Sequence, residues 1–343
     1  MTLSETTILA LDAHGGDQGL AASVPAALAA LNQDDRLQIV LVGDGQDVQS
    51  ALEAAGGGPG GRLRVQPADS VIPMDVKPAS VLRDGRGSSL WTALELVAAG
   101  EAAACVSGGN TGAMMVLGIK LLGRLPGIQR PALMGYVPNL LGFTGMLDLG
   151  ANLNVSSGQL VQFAVMGAVA DRDMEGNAHP RIGLLNVGHE DSKGHDVVRE
   201  AHLALRDLPM NYVGFIEGHD IFDGTVDVAV CDGFSGNLML KSTEGLARMM
   251  VRAFKDALSE NMVSRAGAFL ARPSLRRMLA HLDPAAHNGA PLLGLNGVVV
   301  KSHGSADGRG LSRAILEAGR QARRQVHREI EHSIREYRLE KST

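Results

Sequence analysis

Ala102-Ala-Ala-Cys-Val-Ser-Gly-Gly-Asn-Thr-Gly-Ala-Met-Met-Val-Leu-Gly-Ile-Lys-Leu-Leu122 holds a strand, a turn and a helix in immediate succession. The apolar run to Val106 has the length of a buried strand, Ser107 to Gly112 carries no bulky side chain, and Ala113 to Leu122 is apolar over helical length. The unit recurs along the chain. Strand Thr7–Leu11 leads through Asp12-Ala-His-Gly-Gly-Asp17 to helix Leu20–Leu31, and strand Gly145–Leu149 through Asp148-Leu-Gly-Ala-Asn152 to helix Ser156–Asp171. Strand Arg181–Val187 leads through Asn186-Val-Gly-His-Glu-Asp-Ser-Lys-Gly194 to helix His195–Leu205, and strand Val226–Cys231 through Asp232-Gly-Phe-Ser-Gly-Asn237 to a helix that opens near Asn237 and runs to about Leu258. Strand Gly297–Lys301 reaches His303-Gly-Ser305 and a long basic helix from Leu311 to about Arg338. Repeated strand and helix predict an α/β fold, with helices on both faces of a parallel or mixed sheet. No clean linker or fixed-period repeat breaks the chain, so a single domain over 1–343 is expected.

Ligands of open α/β sheets bind where strands end and helices begin, so the six turns are expected to converge on one crevice. Glycine lets backbone N–H groups approach a ligand, helix N-termini attract anions, and Asn adds neutral donors. Composition narrows the classes further. The chain has 343 residues, 45% of them hydrophobic and 20% charged, as in ordinary globular protein. A net charge of −5 and 3% aromatic residues argue against nucleic-acid binding. Cys105 and Cys231 each end an apolar run and read as small buried hydrophobes. Neither a signal peptide nor an apolar stretch near the ~20 residues of a membrane span is present, so a cytoplasmic location is expected.

Several motifs are absent. No H-E-x-x-H, C-x-x-C, G-x-S-x-G or G-x-x-x-x-G-K-[ST] occurs, so neither a metal site nor a serine nucleophile is expected, and no cofactor. Gly56, Gly58 and Gly61 fit the letters of a dinucleotide fingerprint, but they follow a helix and precede a strand, the reverse of what it needs. Lys193, between Ser192 and Gly194, is open between a point charge for an anion and a solvated loop lysine. Asn110 and Asn237 occupy matching strand, turn, helix positions, where capping is the alternative to a ligand role. For Asp148 and Asp232, also at strand ends, the plain anchoring of neighbouring N–H groups is a sufficient alternative to a ligand role. Among His14, His189, His195 and His303, all in or near these turns, His303 is the foremost acid–base candidate. Ser70–Gly87, with Lys77, Arg83 and Arg86, is loop-rich and suited to a flap.

Longer motifs carry a resemblance. Ala10-Leu-Asp-Ala-His-Gly-Gly-Asp17, Val106-Ser-Gly-Gly-Asn-Thr-Gly112, Leu122-Gly-Arg-Leu-Pro-Gly-Ile-Gln-Arg-Pro-Ala132, Leu147-Asp-Leu-Gly-Ala-Asn152, Gln162-Phe-Ala-Val-Met-Gly167, Cys231-Asp-Gly-Phe-Ser-Gly-Asn237 and Gly289-Ala-Pro-Leu-Leu-Gly-Leu-Asn-Gly297 closely resemble the bacterial phosphate acyltransferases of phospholipid synthesis, from about Ile8 to Leu316. His14 in place of the usual Met, and His287-Asn288 in place of an aromatic residue and Gly, depart from that pattern. The resemblance implies transfer of a long-chain acyl group from acyl carrier protein to inorganic phosphate, giving an acyl phosphate for a membrane glycerol-3-phosphate acyltransferase. It also implies a three-layer α/β/α sandwich like that of phosphotransacetylases and isocitrate-type dehydrogenases, a homodimer, and a helical protrusion at about 245–285.

Phosphate is already an anionic nucleophile, so the site has to hold it and stabilise an oxyanion. Within the resemblance, Lys193, Asn237, Asn110 and His303 are the catalytic candidates; Gly15, Gly16, Gly108, Gly109, Thr111 and Gly112, with Lys193, are the phosphate cradle; Asp148, Asn152 and Asp232 support it. Met and Leu on the 234–282 helices are open between an acyl tunnel and ordinary core. An acidic carrier protein needs a basic patch, for which Arg265, Arg272, Arg276 and Arg277 are one candidate and Arg320, Arg323, Arg324 and Arg328 another, unless either is a solvated face. The segment Met262–Leu282, with Met262, Val263, Phe269 and Leu270 at its tip, suits peripheral contact with a membrane or a dimer contact. Two rivals are a short-chain phosphotransacetylase or butyryltransferase using CoA, and a non-catalytic membrane scaffold.

Overall fold

The computed structural model describes residues 6–281 and 288–337. Its described side chains in the protrusion end at Arg277, so Met278, Leu279 and Leu282 of the apolar segment, and His287, lie outside them, as does Arg338. The strands are β1 (Thr7–Asp12), β2 (Leu37–Gly43), β3 (Leu63–Pro67), β4 (Ala104–Ser107), β5 (Ala132–Pro138), β6 (Phe143–Leu147), β7 (Ile182–Leu185), β8 (Tyr212–Ile216), β9 (Val228–Val230), β10 (Ala290–Leu293) and β11 (Val298–Lys301). They form one sheet in the order β3-β2-β1-β4-β11-β10-β5-β6-β9-β7-β8.

Helices cover both faces. Side chains of α4 (Ser89–Ala98), α5 (Thr111–Leu121), α8 (Gly218–Asp223) and α9 (Gly233–Ser259) pack into the core on one face, joined by Ala10, Cys105 and Val299 from the strands. On the opposite face lie α1 (Leu20–Gln33), α2 (Gly45–Ala54), α6 (Ser157–Glu175), α7 (Asp196–Arg206), α11 (Gly308–Arg324) and α12 (Val326–Glu336). The result is the three-layer α/β/α sandwich. The expected C-terminal helix from Leu311 to Arg338 is instead two, because Gln325 takes a left-handed φ of 52° between α11 and α12. That turn lets Val326, Ile330 and Ile334 bury against the α6 core while α11 stays on the α1 side.

Strand direction decides where the turns go. β1 to β4 and β11 run one way; β10 is antiparallel to both β11 and β5, and β6 is antiparallel to β5. β6, β9, β7 and β8 are parallel to one another and therefore opposite to β1, β4 and β11. The six turns accordingly do not line one strand-end crevice. Those at 12–17, 107–112 and 303–305 lie at one edge of the sheet, and those at 148–152, 186–194 and 232–237 at the other.

Candidate active site

Three adjacent strands, β1, β4 and β11, end in Asp12, Ser107 and Lys301. Side chains alternate between the faces of a strand. Because Ala10, Cys105 and Val299 face the layer of α5 and α9, the residues two positions on face it too. Ser107 donates its hydroxyl to Asp12 Oδ2 at 2.7 Å and accepts the Gly109 N–H at 2.9 Å. Lys301, 9% exposed, reaches over to donate to the Gly108 carbonyl at 3.0 Å and also to its own neighbour, the Ser302 carbonyl. Burial pushes the Asp12 carboxyl above its usual range against the Ser89 and Ser107 hydroxyls. Burial likewise pushes the Lys301 ammonium down to about 8, with Asp17 and Asp12 opposing and Lys241 assisting.

The glycines permit this knot. A Cβ on Gly15 would stand 2.6 Å from Asp12 Oδ2 and 3.0 Å from the Gly109 nitrogen. Gly16, at φ 96°, would put one 2.9 Å from the Gly304 carbonyl oxygen, and only Gly takes such a φ at little cost. Gly15, Gly16, Gly108 and Gly109 are thus brought together, and Asp17 N–H closes the knot onto Gly304 O at 2.8 Å. Asn110 caps α5 by accepting the Ala113 N–H at 2.9 Å, while its amide donates to the Met74 carbonyl at 2.6 Å. Both ends of that side chain hold local structure, and one of the two amide N–H groups stays available to a ligand. Thr111 and Gly112 open α5, and their N–H groups have no acceptor among the described residues, as helix starts leave them. Pro78, in a short 3-10 turn (Pro78–Ser80) followed by α3 (Val81–Asp84), packs over Gly112, so the 70–87 flap lies on this edge.

The second edge has its own knot. Asp148, fully buried, accepts from Leu133 N at 2.9 Å and Ala151 N at 3.1 Å through Oδ1, and from Asn152 N at 2.6 Å and Asn152 Nδ2 at 2.9 Å through Oδ2. Burial raises its carboxyl even against those donors. Asn152 also donates to Pro131 O at 2.7 Å, and its carbonyl takes the Gly233 N–H at 2.8 Å. Asp232, not Asn237, caps α9, accepting from Ser235 N at 2.8 Å. Asn237 therefore sits inside the helix, exposed, with no side-chain hydrogen bond among the described residues, and a Cβ on Gly150 would stand 3.3 Å from its own. Lys193 is exposed in the loop after β7, held through its backbone by Glu190 O and Asn186 Nδ2. The structure does not bring Lys193 to the 107–112 turn. The two lie at opposite edges.

Helix α9 joins the edges. It starts at Gly233 beside Asn152 and by Glu244 has risen about 16 Å. Glu244 Oε1 there stands 3.7 Å from His303 Nε2, and Lys241 Nζ 3.1 Å from Glu244 Oε2. Asn237 and Lys241, four residues apart, share one stripe of α9. His303 Nδ1 faces the Ser305 hydroxyl at 2.9 Å; burial first, then Lys241, lowers the imidazole pKa, with Glu244 opposing.

The other histidines serve locally. His14 Nε2 accepts the Asp44 N–H at 3.1 Å, turned toward β2 and away from the 107–112 turn. His189 meets Phe215 O at 3.0 Å, and His195 stands at the start of α7 without capping it. Cys105 and Cys231 are buried and unpaired, and burial pushes both thiols up. Lys301 is the residue the sequence reading passed over. Its signal is a lone charge ending the buried run Val298-Val-Val, in phase with Asp12 and Ser107.

On the protrusion, formed by α9 and α10 (Met262–His281), the side chains of Met262 (77%), Val263 (82%), Phe269 (73%) and Leu270 (80%) stand exposed. Met249, Met250 and Phe254 of α9 are exposed as well. Arg265, Arg272, Arg276 and Arg277 meet no carboxylate among the described residues. The rival patch is largely neutralised, since Arg320 pairs with Glu317, Arg323 with Asp34 and Arg328 with Glu331. No described helix is long and apolar enough to cross a membrane.

The family model described as "Fatty acid synthesis protein" matches residues 7–329. A phosphate acyltransferase of Alkalilimnicola ehrlichii is 45% identical over 332 residues, covering 97% of each chain. One from Pseudomonas fluorescens is 47% identical over 312 residues, 91% of this chain and 93% of its own. Among solved structures, a phosphotransacetylase from Streptococcus pyogenes superposes with a TM-score of 0.63 at 18% identity, over 92% of this chain and 94% of that one. A branched-chain phosphotransacylase from Enterococcus faecalis gives 0.56 at 14% identity, over 94% and 99%. At these identities the solved structures bear on fold alone.

Proposed function

The chain belongs to the bacterial phosphate acyltransferase family, transferases of acyl groups to phosphate, and from that premise we propose that its donor is a long-chain acyl carrier protein thioester attacked directly by inorganic phosphate. The observation that carries this reading is the junction of two edges by α9. Phosphate sits at the knotted turns, against the free N–H groups of Thr111 and Gly112 and the backbone of Gly15, Gly16, Gly108 and Gly109. Asn237, on the α9 stripe one turn before Lys241, donates to the carbonyl oxygen as it becomes an oxyanion. Lys193, from the loop after β7 at the edge where α9 begins, supplies charge on the thioester side. His303 stands between the knot and α9, placed to handle a proton. No protein nucleophile is required, because phosphate oxygen forms the new bond to the acyl carbon and the thiolate of the carrier leaves.

The decisive assay is phosphate-dependent turnover of acyl carrier protein thioesters of graded chain length, beside acetyl-CoA. Acyl phosphate from the long-chain carrier thioester and none from acetyl-CoA is expected; the reverse pattern would establish the short-chain rival. Lys193→Ala and Asn237→Ala are each expected to cut turnover by about 100 to 1000-fold in folded protein. Near-normal turnover would remove them from the mechanism.

The exposed apolar tip of α10, bordered by arginines that meet no carboxylate among the described residues, fits peripheral contact with an anionic membrane, where a membrane glycerol-3-phosphate acyltransferase would take the product. A second copy of the chain is the other candidate cover. Phe269→Glu with Leu270→Glu should abolish flotation with anionic liposomes; unchanged flotation would count against the membrane role, and a shift to monomer would favour the dimer.

A further inference from the structure

We propose that Lys301 is a direct ligand of the phosphate substrate, a role that rests on the acyl-to-phosphate reading of the site and adds a cation buried beneath the knotted turns. An ammonium carries three protons. In Lys301 two are engaged by carbonyl oxygens, those of Gly108 and Ser302, and no carboxylate among the described residues is within ion-pair distance of the group. The third is left for a ligand. The side chain, 9% exposed, lies on the face shared by α5 and α9, directly below the turn that delivers the open N–H groups of Thr111 and Gly112.

A bare buried ammonium is costly, and proteins pair it or use it. Around this one the charges come from every neighbouring element: Asp12 and Asp17 from β1 and its turn, Lys241 and Glu244 from α9, His303 from the turn after β11. None of these carboxylates closes on Nζ as an ion pair. Burial has also brought the group down to about 8, so near neutral pH it remains charged and becomes easily titrated above that. A phosphate dianion beside it would supply the missing counter-charge and the third acceptor together. A lysine acting only as a pin for the Gly108 carbonyl would have no reason to discriminate between the two substrates.

The test uses the full chain and inorganic phosphate. Lys301→Met and Lys301→Arg are compared with the unmodified protein in phosphate KM, acyl-donor KM and calorimetric phosphate Kd without donor. Lys301→Met should raise phosphate KM and Kd about 10-fold or more while leaving the acyl-donor KM within about twofold, and Lys301→Arg should recover part of the loss. Phosphate KM and Kd within twofold of the unmodified protein, or both substrates weakened alike, would overturn the proposal. Should Lys301→Met not fold, Lys301→Arg carries the question: phosphate KM and Kd raised severalfold with the acyl-donor KM held within about twofold support the assignment, and phosphate constants unchanged, or both substrates weakened alike, overturn it. Phosphate binding that depends on Lys301 in a protein without acyl turnover would sustain this inference and sink the acyltransferase reading.

Discussion

Glu244 Oε1 stands 3.7 Å from His303 Nε2, a contact between a helix born at one edge of the sheet and a turn at the opposite edge. It ties α9, which carries Asn237, to the knot formed by the turns after β1, β4 and β11. Because Glu244 raises the His303 pKa against burial and Lys241, Glu244→Gln should move it further down. An NMR titration of the His303 ring proton checks this; an upward or absent shift would mean that the pair is not formed in solution.

Asn110 makes two structural contacts whose contributions can be separated. Asn110→Ala removes the α5 cap and the bond to Met74, and should cost about 1 kcal/mol in urea unfolding. Asn110→Asp keeps the oxygen that caps Ala113 and loses the donor to Met74, so it should retain most of the stability. Equal losses in both would show that the flap contact dominates.

Gly236 lies in the first turn of α9, where Ala would ordinarily favour a helix by about 1 kcal/mol. A Cβ there would overlap the Asp148 carbonyl oxygen and stand 3.0 Å from Cys231 Sγ. Gly236→Ala should therefore destabilise the protein by about 1 to 3 kcal/mol, against its propensity. A gain in the urea midpoint would show that α9 is less firmly seated on the 148–152 turn.

Asp171 is 3% exposed, and its Oδ2 has no hydrogen-bond partner among the described residues. Burial, then the Asp227 and Glu175 carboxylates, push its carboxyl up to about 7. For an acid raised on folding, the native state holds the proton more tightly. The penalty is absent below the ordinary carboxylate range, near pH ~4, grows with rising pH and is complete above about 7. Asp171→Asn should thus raise Tm most at pH 8, with the gain vanishing toward pH 4. A gain independent of pH would assign the effect to packing instead.

The chain by itself determined the α/β class, because apolar runs of strand length ending in Gly-rich turns and followed by apolar helical stretches admit few other arrangements. Its long motifs were sufficient to indicate the family. Ser107-Gly-Gly-Asn-Thr-Gly112 and Asp12-Ala-His-Gly-Gly-Asp17 also marked out residues that do meet, since both follow neighbouring parallel strands.

Only the tertiary structure decided which turns share an edge. Alternating strands and helices leave a parallel or a mixed sheet open, and the structure is mixed: β10, the short Ala290-Pro-Leu-Leu293, is inserted antiparallel between β11 and β5. Four residues with a Pro inside give no periodic signal of a central strand. That insertion leaves β5 running with β11, and the antiparallel β5–β6 pairing then reverses β6, β9, β7 and β8, which parts Lys193 from the 107–112 turn. The resemblance of Asn110 and Asn237 in sequence likewise dissolved in space, since Asp232 takes the cap and leaves Asn237 free on the helix surface. Lys301 shows the same limit from the other side. It follows three valines along the chain, and the Gly108 carbonyl that holds it lies 193 positions away, a proximity that strand pairing creates and no local pattern records.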